Sequence, residues 1–386
     1  MLHAHASIRT IVDKVPPHAR DTLRRRWARA KDVASAACLW EWQVARFELD
    51  GFDVLYLGRA EERWRALLLF LEDGEPALSG SLALANTGRP TVTVTDALAP
   101  NAFRVPSELT SLVHLGESPE TVAARLDGEL RRRIRRLSEQ NYRLLELSDP
   151  SGIARLNETM FVPFTMARHP KHGRPHSLEE LTRFRDFGNV FVLMKGDEEV
   201  GAQVGYSYER HGTRRWMTER FGYPERIFSN KKRLAETNAI NIQLACDYAG
   251  QTRHDHYDLG ASPASPNGGL LRFKRRRRAV LEPTPLAIDF HVTIPGPQRA
   301  QVLGRAPLFS LHGDRITLNV GVRECESDST LLSRFEEWGY GGIERVLLWT
   351  ERDVAPGVLA ELREHYRSRG FATGVSLADV RPPARF

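Results

Sequence analysis

The stretch Gly269-Leu270-Leu271-Arg272-Phe273-Lys274-Arg275 runs on into Arg276, Arg277 and Arg278. Seven of the 55 basic residues are lysines, so Lys274 is a rare residue type, set beside an aromatic and ahead of four arginines. An aromatic next to cations suits a base or sugar stacked on Phe273 while the charges hold phosphate. The other reading is a solvated basic strand edge with Phe273 in the core. A second cluster is Arg131-Arg132-Arg133-Ile134-Arg135-Arg136. On a helix, Ile134 keeps an apolar stripe while the arginines fan around the rest, as a solvated face or as a wall of phosphate contacts. The third cluster is Lys231-Lys232-Arg233, after Ile227-Phe228-Ser229-Asn230. Backbone N–H groups at a helix start already favour an anion. Cations there oppose the helix dipole, so they need a further reason to be present.

Weaker chemistry lies elsewhere. His254, Asp255, His256 and Asp258 offer metal-ligand types, but no second cluster has matching spacing. Cys246 falls within a helical pattern and reads as a small core residue. Cys38, Cys246 and Cys325 are too few and too scattered for a disulfide framework or a zinc cluster. His169, His172 and His176 sit in a Pro/Gly-rich stretch, as solvated loop residues or as a proton relay. No GxSxG, Walker lysine loop or GxGxxG occurs. At 386 residues, 41% hydrophobic and 27% charged, with net charge +6, the chain has ordinary globular composition. No apolar run approaches the ~20 residues that span a bilayer, and no signal-type start is seen, so the expected compartment is the cytoplasm.

These residues need elements to hold them. Residues 1–48 read as polar and helical. Arg65–Leu71 reads as a strand, Glu72-Asp73-Gly74-Glu75 as a turn, Ala77–Ala85 as a returning strand, and Asn86-Thr87-Gly88 as a turn into the strand Thr91–Thr95. The same grammar recurs with strands at Val190–Met194, Val200–Tyr208 and Arg215–Arg220, turning at Gly196 and Gly212. The matched turns suggest an internal duplication. Each meander is followed by a helix. The first has Ser118 as cap, Pro119 at its first position, and Val122, Leu126, Leu130 and Ile134 on one stripe. The second has Ser229 or Asn230 as cap and carries Leu234, Ile240, Leu244 and Tyr248. His256–Leu259 reads as a short strand and Gly260–Gly269 as a loop. Beyond residue 296 come a hairpin over Leu308–Val322 turning at Gly313-Asp314, two helices and two strands. The expected organisation is therefore three parts, 1–117, 118–295 and 296–386, in the α/β (α+β) class with mixed sheets.

The order of parts resembles the FemAB-like branch of the GNAT acyltransferase superfamily, with its BioF2-like acetyltransferase domains. The resemblance rests on the helix at Arg132-Arg133-Ile134-Arg135-Arg136-Leu137, the loop Thr165–His176, the meander, and the helix 231–249. It continues through Tyr257-Asp258-Leu259-Gly260 and the Gly-Leu-x-x-Phe-Lys-Arg element at 269–275. It is best over about 120–280 and does not obviously cover the tail. It implies two fused GNAT-like units, the second carrying the active site, and an enzyme that joins an activated acyl group to an amine. The donor it implies is aminoacyl-tRNA or acyl-CoA, with no tightly bound cofactor and no metal. The acceptor is a small-molecule or peptide amine.

In GNAT members the CoA pyrophosphate sits on a glycine-rich turn. Here the matching turn is Asn230-Lys231-Lys232-Arg233-Leu234-Ala235, without glycine, which favours a larger polyanion such as tRNA. The resemblance places Phe273 and Lys274 at the acyl-transfer site, where an ammonium would stabilise an oxyanion. The base stays open between the donor, Asp258 and Glu219. The expected donor contacts are Arg132, Arg133, Arg136, Lys231, Lys232, Arg233 and Arg275. The competing expectation is a non-catalytic nucleic-acid-binding protein.

Overall fold

The computed structural model describes residues 42–49, 51–71, 89–116, 118–168, 174–285, 287–323, 327–350, 354–368 and 374–379. The fold is mixed α/β, and the chain divides into two units. One comprises Met1–Ser111, Ala261–Arg275 and Ala279–Phe386; the other comprises Leu112–Gly260 and Arg276–Arg278.

The chain enters the first unit through β1 (Trp42–Leu49) and β2 (Phe52–Arg59), an antiparallel pair. Residues 42–48 are thus strand where the sequence suggested helix. The overlooked signal is Asp50-Gly51, a hairpin dipeptide, with Gly51 at φ +82°. Next comes α1 (Arg63–Leu68), on residues that read as a strand. Its Leu- and Ala-rich run lacks β-branched residues, and Ala66 and Leu67 are buried on it, with Leu69 and Phe70 buried just beyond its end. The expected turns at Gly74 and Gly88 and the strand between them lie outside the described residues. β3 (Thr91–Thr95) is a strand as read, but it lies parallel to β2, so it does not close an antiparallel meander. β4 (Phe103–Pro106) and β5 (Glu108–His114) follow.

In the second unit the apolar stripe from Val122 to Ile134 is buried throughout, but on two helices. α2 (Pro119–Arg125) is capped by Ser118, and α3 (Gly128–Ser138) by Asp127, whose carboxylate takes the first backbone N–H groups and restarts the helix. β6 (Tyr142–Glu146), α4 (Pro150–Leu156), a π turn (Asn157–Phe161), α5 (Val162–Arg168) and α6 (Leu178–Phe187) lead to the meander. Its strands are β7 (Gly188–Lys195), β8 (Glu198–Arg210) and β9 (Thr213–Gly222), with turn glycines 196 and 212 at positive φ. After α7 (Glu225–Phe228) comes the long α8 (Lys231–Gln251), then β10 (His256–Pro263). The order β10-β9-β8-β7-β6 is antiparallel except where β10 joins β9 in parallel.

The chain returns to the first unit in α9 (Gly269–Arg275), followed by β11 (Val280–Pro283) and β12 (Asp289–Thr293). β12 completes a mixed sheet of order β1-β2-β3-β12-β4. After α10 (Arg299–Arg305), the hairpin β13 (Leu308–His312) and β14 (Arg315–Val322) turns at Gly313 as expected. α11 (Asp328–Glu337), β15 (Ile343–Thr350), α12 (Pro356–Ser368) and β16 (Gly374–Asp379) complete a second mixed sheet, β13-β14-β15-β16.

This late segment anchors α9. Leu271 of α9 lies in one apolar cluster with Phe309, Trp338 and Tyr340. The preceding loop is pinned by Trp338 Nε1 donating to Asn267 Oδ1 (2.9 Å), Asn267 Nδ2 donating to the Arg305 carbonyl (3.2 Å), and Tyr340 Oη donating to the Pro266 carbonyl (2.8 Å). Asn267→Ala should therefore lower stability by about 1–3 kcal/mol, because it strands the indole N–H. The check is a lower urea midpoint at unchanged slope.

Candidate functional site

α3 turns its apolar stripe toward α8: Leu130 and Ile134 share a buried cluster with Ala239. That packing leaves the arginines of α3 beside the start of α8. Between them lies a cleft of about 550 Å³ lined by Glu129, Arg132, Arg133, Arg136, Lys232, Ala235 and Glu236. Both carboxylates are neutralised. Glu129 pairs with Arg133 (2.8 Å) and Arg276 (2.7 Å), and Glu236 pairs with Arg136 (2.7 Å). The side chains of Arg132 and Lys232 make no hydrogen bond or ion pair with the described residues, so the cleft carries surplus positive charge. Lys231 and Arg233 stand exposed on the same first turn of α8. Asn230 Oδ1 accepts from the backbone N–H of Lys232 (3.1 Å) and Arg233 (3.0 Å). Asn230 is therefore the cap, and it occupies backbone donors that would otherwise face an anion.

The arginines of the run 275–278 have separate partners. The Arg275 guanidinium lies 5.8 Å from the Tyr340 ring centroid. Arg276 binds Asp127 (3.2 Å) as well as Glu129. Arg277 is 2% exposed and donates to the Ala239 carbonyl, and burial pulls its pKa below the usual arginine range. Arg278 donates to the Arg125 carbonyl (3.2 Å). Arg275 holds the first unit and the other three hold the second, because the chain leaves α9 at 275 and packs against α2, α3 and α8. A sequence of four arginines gives no sign of that change of role.

In the meander, alternation assigns one face to α8. Thr218 bonds Gln203 (3.2 Å) and Tyr257 (2.8 Å), and Ser207 Oγ lies 2.7 Å from His254 Nε2. Burial lowers the His254 pKa. On the other face Tyr208 Oη donates to Asp258 Oδ2, while Asp258 Oδ1 accepts the Gly260 N–H (2.7 Å). Burial first, and Asp258 second, push the Tyr208 phenol upward. Asp258 is itself buried with both oxygens engaged.

β9 carries an extra residue. Gly205 faces Thr218 and Val204 faces Arg220, leaving Glu219 unmatched. Such a bulge interrupts alternation and re-aims side chains. Glu219 Oε1 lies 3.8 Å from His176 Nε2, and Arg220 donates to Thr165 Oγ1 (3.4 Å) and to the Arg174 carbonyl (2.9 Å). Burial, then Arg220, lower the His176 pKa. In the sequence His176 is one of three loop histidines with nothing to single it out. His169 and His172 lie outside the described residues, and nothing in the spacing marks the bulge.

Lys274 is 4% exposed on α9, with Nζ 3.1 Å from the Ala261 carbonyl, and Phe273 is half-buried. Both belong to the first unit, whereas Asp258 and the arginine cleft belong to the second. Among the described residues, no group of three His, Cys, Asp or Glu gathers as a metal site, and no helix is long and apolar enough to cross a membrane.

No family model matches the sequence, and no curated protein matches it. Solved structures similar to the chain include FemX, at 12% identity and TM-score 0.38 over 71% of this chain and 96% of that one. Another is L-PGS from Bacillus licheniformis, at 10% identity and TM-score 0.34 over 65% of this chain and 80% of that one. A third is a GCN5-related N-acetyltransferase from Anabaena variabilis, at 9% and 0.27 over 73% and 71%.

Cys246 is buried in α8, and desolvation pushes its thiol up to about 12. It is a core residue and no nucleophile. Alkylation by iodoacetamide at pH 8, read at Cys246 by peptide mass spectrometry, should be slow in the native protein and fast in denaturant. Rapid native labelling would contradict the burial.

Proposed function

We propose that the protein is an N-acyltransferase that joins an activated acyl group to an amine, with aminoacyl-tRNA as the donor. The observation that carries this reading is the cleft in which Arg132, Arg133, Arg136 and Lys232 meet while Glu129 and Glu236 are already neutralised. A cleft with surplus cations suits the backbone of a polyanion. The capped start of α8 supports side-chain contacts over a backbone phosphate cradle, and so tRNA over acyl-CoA.

The chemistry follows from the residue types. The acceptor ammonium gives a proton to a carboxylate. Glu219 fits that role better than Asp258, whose oxygens are both engaged. The freed amine attacks the ester carbonyl carbon and forms the C–N bond. The carbonyl electrons move onto oxygen, and it is the resemblance alone that gives the resulting oxyanion to the Lys274 ammonium. On collapse the C–O bond to the ribose breaks and the ribose oxygen takes up a proton.

Lys274→Met keeps an unbranched side chain, one atom shorter and without the charge. It should lower kcat/KM about 10²–10³-fold, some 2.7–4 kcal/mol of transition-state stabilisation, with the circular-dichroism spectrum retained. Wild-type turnover in that variant would overturn the assignment. Replacing Arg132 and Lys232 together by Gln should flatten the salt dependence of tRNA affinity by roughly 1.4–1.8 in log–log slope, two phosphate contacts' worth. An unchanged slope, with saturable turnover of acyl-CoA, would move the donor to CoA.

A further inference from the structure

The bulge in β9 turns two adjacent residues of opposite charge toward one side of the second unit. In a regular strand Glu219 and Arg220 would point to opposite faces. Here Glu219 approaches His176, while Arg220 reaches Thr165 on α5 and the Arg174 carbonyl. Glu219 and Arg220 form no ion pair with each other. Arg220 spends Nη1 on both of its contacts, and its Nε and Nη2 make no hydrogen bond with the described residues. His176 Nε2 is a buried nitrogen without a hydrogen-bond partner, since the 3.8 Å to Glu219 is too long for one. The other ring nitrogen lies 3.5 Å from Glu180. Burial lowers the pKa of both His176 and Arg220, so these polar groups are partly withdrawn from water without having satisfied one another.

Apolar surface adjoins them. His176 meets Phe184 edge-on at 5.6 Å, and Phe184 lies 5.1 Å from Phe187 and 5.9 Å from Tyr206. Phe187 is 46% exposed, so the aromatic group opens to solvent.

We propose that this group is a subsite for a zwitterionic amino acid, with Arg220 taking the carboxylate, Glu219 the ammonium and the aromatic group the side chain. The guanidinium offers N–H donors to a planar carboxylate, and the carboxylate of Glu219 accepts from an ammonium. As an acceptor site this rests on the acyl-transfer reading, since the ammonium at Glu219 would be the amine acylated. As a binding site it stands without any turnover.

The test is binding by the full chain, without donor, of three probes that share one ring: L-phenylalanine, phenethylamine and 3-phenylpropanoate. Calorimetry should show L-phenylalanine binding at least roughly tenfold more tightly than either single-charge probe. Arg220→Gln should abolish the preference over phenethylamine and leave that amine's affinity unchanged. Glu219→Gln should abolish the preference over 3-phenylpropanoate. A purely structural role would weaken all three probes together, whereas a subsite exchanges one selectivity for another. Equal binding of the three probes to the wild type, no binding of L-phenylalanine, or an intact preference in both variants would overturn the proposal. Selective binding by a protein that shows no acyl transfer would refute the acyl-transfer reading alone.

Discussion

Between Thr218 and Arg220 strand β9 holds one residue more than β8 opposite it, and the polar chemistry of the second unit is organised by that slip. On the near side of the slip alternation is regular, so Trp216 and Thr218 face α8 and join its buried network. Beyond it Glu219 and Arg220 both turn to the loop that carries His176. The parallel pairing of β10 with β9 runs from His256–Arg215 to Asp258–Met217, ending just before the slip. The end of β9 then approaches the π turn. A Cβ on Gly222 would stand 2.8 Å from Phe161 Cδ1 and 3.0 Å from the Phe161 backbone nitrogen, so only glycine allows that approach without displacement. Bulge, π turn and glycine fit one another, and each departs from the regular element around it.

The first unit solves a different problem, that of holding Lys274 inside. A short helix such as α9 has little stability of its own. Its position comes from Leu271 in the apolar cluster and from the loop bonds made by Trp338, Tyr340 and the Arg305 carbonyl. The C-terminal segment thereby has a physical task that its sequence does not advertise. It is the part of the core against which the Phe273-Lys274 helix is built. The arginines after Lys274 are spent differently again, one on Tyr340 and three on the helices of the second unit.

What could be read in the sequence was whatever depends on near neighbours. The meander at 188–222 consists of strand-forming runs separated by turns at Gly196 and His211-Gly212, and it formed as read. So did the hairpin at Gly313 and the long helix, where Asn230 rather than Ser229 supplies the cap. The stripe Val122–Ile134 was right in its burial but blind to Asp127, a second cap inside it. Arg65–Leu71 failed because a short apolar run fits a buried helix as well as a strand. The bulge was invisible because it is a register relation between two strands, and the fates of Arg275–Arg278 were invisible because they depend on which distant carbonyl or carboxylate each one meets. The cleft was half legible: two basic clusters were evident, and their meeting was settled by the packing of Leu130 and Ile134 against Ala239.

Acyl transfer is defined by an acyl group leaving its carrier for an amine. The most direct measurement incubates the wild-type protein with tRNA charged with an isotopically labelled amino acid and a pool of free amino acids, and reads the small-molecule fraction by mass spectrometry. The expected result is a labelled amide whose appearance matches the loss of charged tRNA. Charged tRNA that is bound, protected and recovered intact, with no amide formed from it or from acyl-CoA, would rule out acyl transfer and leave a nucleic-acid-binding protein.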